Sequence, residues 1–384
     1  MSASEPFGKA TSSALIRLSE LGQSVWIDYL SRDLLESGGL ARLVQHDAVV
    51  GVTSNPSIFE QALAHGESYD QQLRELLPSE LSAKDLFLEL ACRDVAVACD
   101  LLRPVWERTA RQDGYVSIEV DPNLAHTRLA QFEEAQELHE RIDRPNLYVK
   151  IPATGEGVAA IEDSIAWGRS INVTLIFSID RYVETARAYI RGLTRFRAAG
   201  GDVATVRSVA SFFVSRVDTE VDRRLEELGA PAALKGRLAI ANAKLAYARY
   251  RRLFSSENEL WRELAAVGAQ PQRCLWASTS TKNPAYRDVR YVEELIGPET
   301  VNTMPEPTLR AFEDHGKVAS TLEHGLEDAQ RLLGQLAEAG IDYDDVVATL
   351  EAEAIAKFSD AFSKLLARLE TKKRTIVVAA GDVR

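Results

Sequence analysis

The stretch "PNLYVKIPATGEG" (145–157) decides how the chain is read. Leu147, Tyr148 and Val149 are the apolar, aromatic and β-branched residues of a buried strand, yet the run meets Lys150 before continuing into Ile151 and Pro152. Taking an ammonium out of water unpaired costs several kcal/mol. Lys150 therefore reaches solvent or a partner, or the chain holds it half-buried because its chemistry requires that. The following "ATGEG" reads as a strand-to-helix turn rather than a phosphate-cradling glycine loop.

Seven further runs of the same kind flank this one: "SVWIDYL" (24–30), "AVVGVTSN" (48–55), "YVSIEVD" (115–121), "INVTLIFS" (171–178), "VASFFVS" (209–215), "RCLWAST" (273–279) and "TVNTMP" (300–305). Each is short, rich in Val, Ile and aromatics, and closed by a turn or capping residue. Amphipathic helical patterns such as "DRYVETARAYIRGLTRFRAAGG" lie between them. The alternation predicts one (β/α)8 TIM barrel domain spanning 1–384, with helical insertions at about 58–112 and 231–267. A doubly wound sheet competes, but the turn after the first run carries no G-x-G-x-x-G. Phe358, Phe362, Leu365, Leu366 and Leu369 share one face of an amphipathic helix at about 343–371. The pattern of that face is compatible with ordinary packing against the outer ring.

Bulk numbers narrow the function. A chain of 384 residues, 46% hydrophobic and 27% charged, has ample apolar material for a core. A formal net charge of −12 argues against nucleic-acid or anionic-membrane surfaces. An anionic small substrate then needs a local basic exception. The amino-terminal stretch has no basic region followed by an apolar one, and no uncharged apolar run reaches spanning length, so a soluble cytoplasmic protein is expected. Cys92, Cys99 and Cys274 are too few for a disulfide framework, and Cys92 and Cys99 read as core thiols. The six histidines (His46, His65, His126, His139, His315 and His324) form no metal-ligand motif, and neither a nucleophile elbow nor a Walker loop is present.

In a barrel, catalytic groups come from the carboxyl ends of strands. Here the ends carry Asp28, Asn55, Glu119, Lys150, Asn172 with Thr174, Ser211 with Arg216, and Ser278 with Lys282 just beyond. Period-2 alternation sets Asp28, Glu119 and Lys150 opposite their apolar neighbours, which turns them into the barrel if those neighbours pack under the helices. Any one of them has an ordinary reading: a snorkelling lysine, a helix-capping carboxylate, a β-branched strand former. Together they form an interior ion cluster, a net cost without a function. Burial disfavours an ammonium and makes its amine competent to attack a carbonyl, giving a Schiff base that serves as an electron sink. Asp28 and Glu119 suit the proton transfers around it. Residue type leaves pyridoxal phosphate open, and no motif points to it.

"GVTSNPSIF", "VSIEVDPNLAHT", "NLYVKIPAT", "INVTLIFS", "SFFVSRVD" and "WASTSTKNPAY" together resemble, in order, the transaldolase family in its longer bacterial form. The resemblance implies a (β/α)8 barrel that transfers a dihydroxyacetone unit without metal or cofactor. The unit would pass from sedoheptulose 7-phosphate to glyceraldehyde 3-phosphate, giving erythrose 4-phosphate and fructose 6-phosphate in the pentose phosphate pathway. By this likeness Lys150 is the Schiff-base lysine and Asp28 exchanges the proton of the C4 hydroxyl. Glu119 acts through a water held with Thr174, and Asn55 and Asn172 orient donor hydroxyls. Ser211, Phe213 and Arg216 match the family's "S-x-F-x-x-R" run, with the arginine on the phosphate. Short-form members place an arginine after the strand-seven serine; this chain offers Ser278 and Lys282, a point charge without the bidentate fork. The expected partners are small phosphorylated sugars, with neither nucleic acid nor membrane. By the same likeness the terminal helix would cover the barrel mouth, while the helical inserts would serve a homodimer or shield the barrel. A fructose 6-phosphate aldolase and a phosphosugar-binding barrel without turnover are the alternatives.

Overall fold

Each of the eight runs contains a strand in the computed structural model, which describes residues 13–64 and 67–381, the side chains of 377–381 excepted. The strands are β1 (Gln23–Ile27), β2 (Val49–Val52), β3 (Tyr115–Glu119), β4 (Leu147–Pro152), β5 (Ile171–Ile176), β6 (Ser208–Phe213), β7 (Arg273–Ala277) and β8 (Thr300–Met304). All pair in parallel in chain order, and β8 closes onto β1. A doubly wound sheet would leave two open edges; the closed order is that of a (β/α)8 barrel with helices between its strands. Residues 1–12 of the amino-terminal stretch read for a targeting signal, and His65, lie outside the described residues.

The barrel interior is packed rather than hollow. Trp26 of β1 lies opposite Gly51 of β2, and a Cβ built on Gly51 would sit 2.3 Å from the indole. Only glycine leaves room for that ring. At the amino end, Arg273 donates to Asp113 at 2.8 Å and to Ser24 at 2.9 Å, while the Trp26 indole N–H also reaches Asp113 at 3.2 Å. This buried knot ties β1, β7 and the approach to β3.

The turn in the opening stretch has its own close fit. Thr154 caps the helix Gly155–Ala166 by accepting from Gly157 N at 3.0 Å. A Cβ on Gly157 would fall 1.9 Å from the Pro152 carbonyl. That glycine lets the helix start immediately beneath the end of β4.

The stretch 58–112 contains most of the helix Pro56–Ala64, then Asp70–Leu76 and Ala83–Arg108, whereas 231–267 contains Leu238–Leu253 and Glu259–Ala265. The last helix runs Tyr343–Gly381, farther than its apolar stripe predicts. It lies across the carboxyl ends of the strands, against the helices Pro56–Ala64, Ala83–Arg108 and Ser215–Glu227. One end is pinned by Tyr343, whose hydroxyl donates to Asn242 Oδ1 at 2.6 Å. Farther along, Phe362 meets Phe87 edge-on at 5.5 Å, and Arg368 pairs with Glu60 at 2.6 Å. Among the described residues, no helix is long and apolar enough to cross a membrane.

Candidate active site

Sheet register brings the central groups together. Glu119 of β3 lies opposite Lys150 of β4, which lies opposite Asn172 of β5. Three adjacent strands thus direct one polar row into the barrel. Lys150 Nζ stands 3.2 Å from Glu119 Oε2 and donates to the Ser54 carbonyl at 3.0 Å. That carbonyl is held in turn, because the Ser54 hydroxyl donates to Ser117 O at 2.7 Å.

Lys150 is buried, not half-buried as the strand pattern suggests: its side chain is 5% exposed and that of Glu119 is 3% exposed. The loop after β2 folds over the strand ends and supplies a carbonyl that no charge pattern could reveal. Besides this ion pair, Glu119 Oε2 accepts no hydrogen bond among the described residues. Thr174 Oγ1 is buried and unpartnered among them. Immediately after Thr174, Leu175 has φ +58° and the β5–β6 ladder shifts register between Val173 and Ile176. A bulge at a branched residue in left-handed conformation stores strain next to the row and re-aims the strand end.

A cavity of about 380 Å³ opens above this row at the carboxyl end of the barrel. Of the residues named from the sequence, Asp28, Asn55, Lys150, Thr174, Ser211, Phe213, Arg216, Ser278 and Lys282 line it. Glu119 and Asn172 do not; they sit beside the lysine, below the cavity wall. Asn172 is fully engaged, donating to Ser117 Oγ at 3.1 Å and accepting from Ser211 Oγ at 2.7 Å. Asn55 uses its carbonyl oxygen to cap the helix Pro56–Ala64, accepting from Ile58 N at 3.1 Å. Its amide N–H₂ is left for the cavity. Ser278 has φ +56°, and its hydroxyl lies 3.1 Å from that of Ser215.

The charges are unevenly distributed. Burial raises the pKa of both carboxyls, Asp28 and Glu119, and for each the opposing charge of Lys150 is the largest restraint. A Thr53 hydroxyl also holds Asp28 at 2.7 Å and pairs with Thr303 at 2.7 Å. At the rim stand two cations. Arg216 is half-buried, rests near the rings of Phe213 at 5.5 Å and Phe358 at 5.9 Å, and burial lowers its pKa. Among the described residues no carboxylate pairs with it. Lys282 is exposed and donates to Ser280 Oγ at 2.8 Å. Two cations without an acid partner among the described residues, in a chain of net charge −12, form an anion-receiving rim.

A family model described as transaldolase/fructose-6-phosphate aldolase matches residues 25–369. The chain belongs to that family. Proteins named transaldolase are similar over nearly its whole length. One from Parafrankia sp. (strain EAN1pec) is 50% identical over 358 residues, 92% of this chain and 96% of the relative. Transaldolase 1 of Streptomyces avermitilis is 50% identical over 363 residues, 94% of this chain and 96% of the relative. A transaldolase of Acidothermus cellulolyticus is 50% identical over 355 residues, 92% of this chain and 95% of the relative.

In this member of the transaldolase/fructose-6-phosphate aldolase family, sequence reasoning missed several cavity residues. Thr53 and Thr303 carry no charge and read as ordinary strand formers. Ser57, Ile58 and Gln61 come from the helix that Asn55 caps, and Phe358 from the terminal helix. The "S-N-P" turn after β2 was the available signal for the first group. The stripe on the terminal helix put Phe358 on a covered face without showing that it lines the cavity.

Proposed function

We propose that the chain is a transaldolase whose Schiff base forms on Lys150. The observation that carries this reading is one amine, ion-paired with a buried carboxylate, at the foot of a cavity whose rim holds two cations that no described carboxylate pairs with. The amine adds to the C2 ketone of a ketose phosphate, giving a carbinolamine. Loss of water then leaves an iminium on Lys150. Glu119, with a carboxyl of raised pKa beside the amine, gives and takes the protons of these steps through a water. The Thr174 hydroxyl, which has no hydrogen-bond partner among the described residues, and the Glu119 carboxyl are suitable partners for that water. Asp28 takes the C4 hydroxyl proton as the C3–C4 bond breaks. The aldose phosphate leaves, and the electron pair is held as an enamine on the lysine. A second aldose phosphate enters, the enamine adds to its aldehyde carbon, and Asp28 returns the proton. Hydrolysis frees the new ketose phosphate.

Asn55 directs its free amide at the donor hydroxyls, whereas Asn172 and Ser211 brace the row from below. Phe213 and Ser278 shape the wall, and Arg216 and Lys282 receive the phosphate. The physiological donor and acceptor are sedoheptulose 7-phosphate and glyceraldehyde 3-phosphate. The reading extends to a cytoplasmic enzyme of the pentose phosphate pathway that is free to pair as a homodimer. Incubation with fructose 6-phosphate and erythrose 4-phosphate tests transfer against simple cleavage. Sedoheptulose 7-phosphate should form with little free dihydroxyacetone. Release of dihydroxyacetone equal to transfer would make the enzyme an aldolase instead.

A further inference from the structure

Arg216 is the cavity's strongest anion-binding group by type, and its surroundings are unusual. It makes no hydrogen bond or ion pair among the described residues. Two carboxylates attract it, Glu353 more strongly than Asp28. What fixes it instead is a pair of rings: Phe213 from the end of β6, and Phe358 from the terminal helix. Phe358 is 5% exposed and lines the same cavity. One turn later on the same face, Phe362 is locked edge-on to Phe87, which meets Phe59 of the helix Pro56–Ala64 in the same way. Glu353 is meanwhile paired with Lys357 at 3.1 Å.

We infer that Phe358 is a positioning residue, whose ring holds the Arg216 guanidinium over the cavity and away from Glu353. The inference rests on the reading of Arg216 as the phosphate receptor. A guanidinium lying over aromatic faces keeps its in-plane N–H groups free, and these are the donors a phosphate requires. An arginine paired with a carboxylate would present those donors to the wrong partner. The terminal helix thereby sets phosphate affinity from more than a hundred residues away in sequence, through one ring rather than through a contact with sugar carbons.

The test compares Phe358→Leu, which keeps apolar bulk without a π face, with Phe358→Tyr, which keeps the face. Phe358→Leu should raise KM for fructose 6-phosphate by roughly tenfold, the size of a partly desolvated cation–π contact, with kcat near that of the parent. Phe358→Tyr should restore the parental KM. With fructose as a phosphate-free donor, kcat/KM should be the same in all three proteins. In an Arg216→Ala background, Phe358→Leu should add nothing further. A parental KM in Phe358→Leu, or a full additional rise in the Arg216→Ala background, would overturn the inference. If Arg216→Ala itself leaves KM unchanged, the phosphate reading fails and takes this one with it. If Arg216→Ala raises KM and Phe358→Leu does not, only the role of Phe358 fails.

Discussion

Thr174 carries a hydroxyl buried in the barrel that bonds to nothing among the described residues. Replacing such a group by a methyl of the same shape removes no hydrogen bond made within the described protein, so the change is close to neutral for stability. Thr174→Val is therefore expected to melt at or slightly above the parental temperature while kcat falls by about tenfold or more. A parental kcat would return this residue to the role of strand former. Glu119→Gln should lower kcat by on the order of 10²–10⁴, the usual share of a general acid–base, and kcat near the parent's would remove that role. Lys150, Glu119 and Asp28 were legible because charge in an apolar strand is costly and period 2 fixes its direction. The Ser54 carbonyl on Lys150 and the left-handed Leu175 were not. A main-chain acceptor leaves no mark in the side-chain pattern, and no glycine announced a positive φ there.

Among the elements, the helix Ser215–Glu227 illustrates how a buried acid can serve structure beside a site. Asp218 Oδ1 accepts from Ala239 N at 2.7 Å, capping the helix Leu238–Leu253 from a neighbouring element, and Oδ2 accepts from the Tyr291 hydroxyl at 2.8 Å. Burial pushes its pKa up to about 6 from 3.8. The folded protein thus holds this proton more tightly than the unfolded chain does. Its contribution to stability is fully present below about pH 4 and is lost as pH rises through 6. Asp218→Asn keeps the acceptor for Ala239 N, replaces the oxygen facing Tyr291 by an N–H₂ that can donate to the phenol oxygen, and removes the titration. The melting temperature of the variant relative to the parent should rise across pH 4–6 and level off above. A constant difference across that window would show that Asp218 does not titrate there. The apolar stripe of Phe358, Phe362 and Leu365 announced the terminal helix plainly. Its seat over the strand ends was not legible, because a stripe states that a face is covered without stating by what.

At the scale of the whole molecule, the barrel separates stability from chemistry along its axis. Arg273, Asp113, Ser24 and Trp26 form the knot at the amino end, and Lys150 with its acids lies at the other. Arg273→Met leaves Asp113 buried without its counter-charge, which costs about 3–5 kcal/mol. It should lower the melting temperature markedly and leave kcat per folded molecule unchanged; an unshifted melt would show the knot to be dispensable. The closed topology was legible from eight apolar runs alternating with helices, since helices on one side of every strand favour a ring. Asp113 was not legible as a structural acid, because it lies in a loop and its partners are far off in sequence.

Borohydride reduction in the presence of fructose 6-phosphate, followed by peptide mass mapping, tests the central claim most directly. A reduced sugar adduct is expected on Lys150, with none in Lys150→Ala. An adduct on any other lysine, or no adduct while transfer proceeds, would contradict a Schiff base at the foot of this cavity.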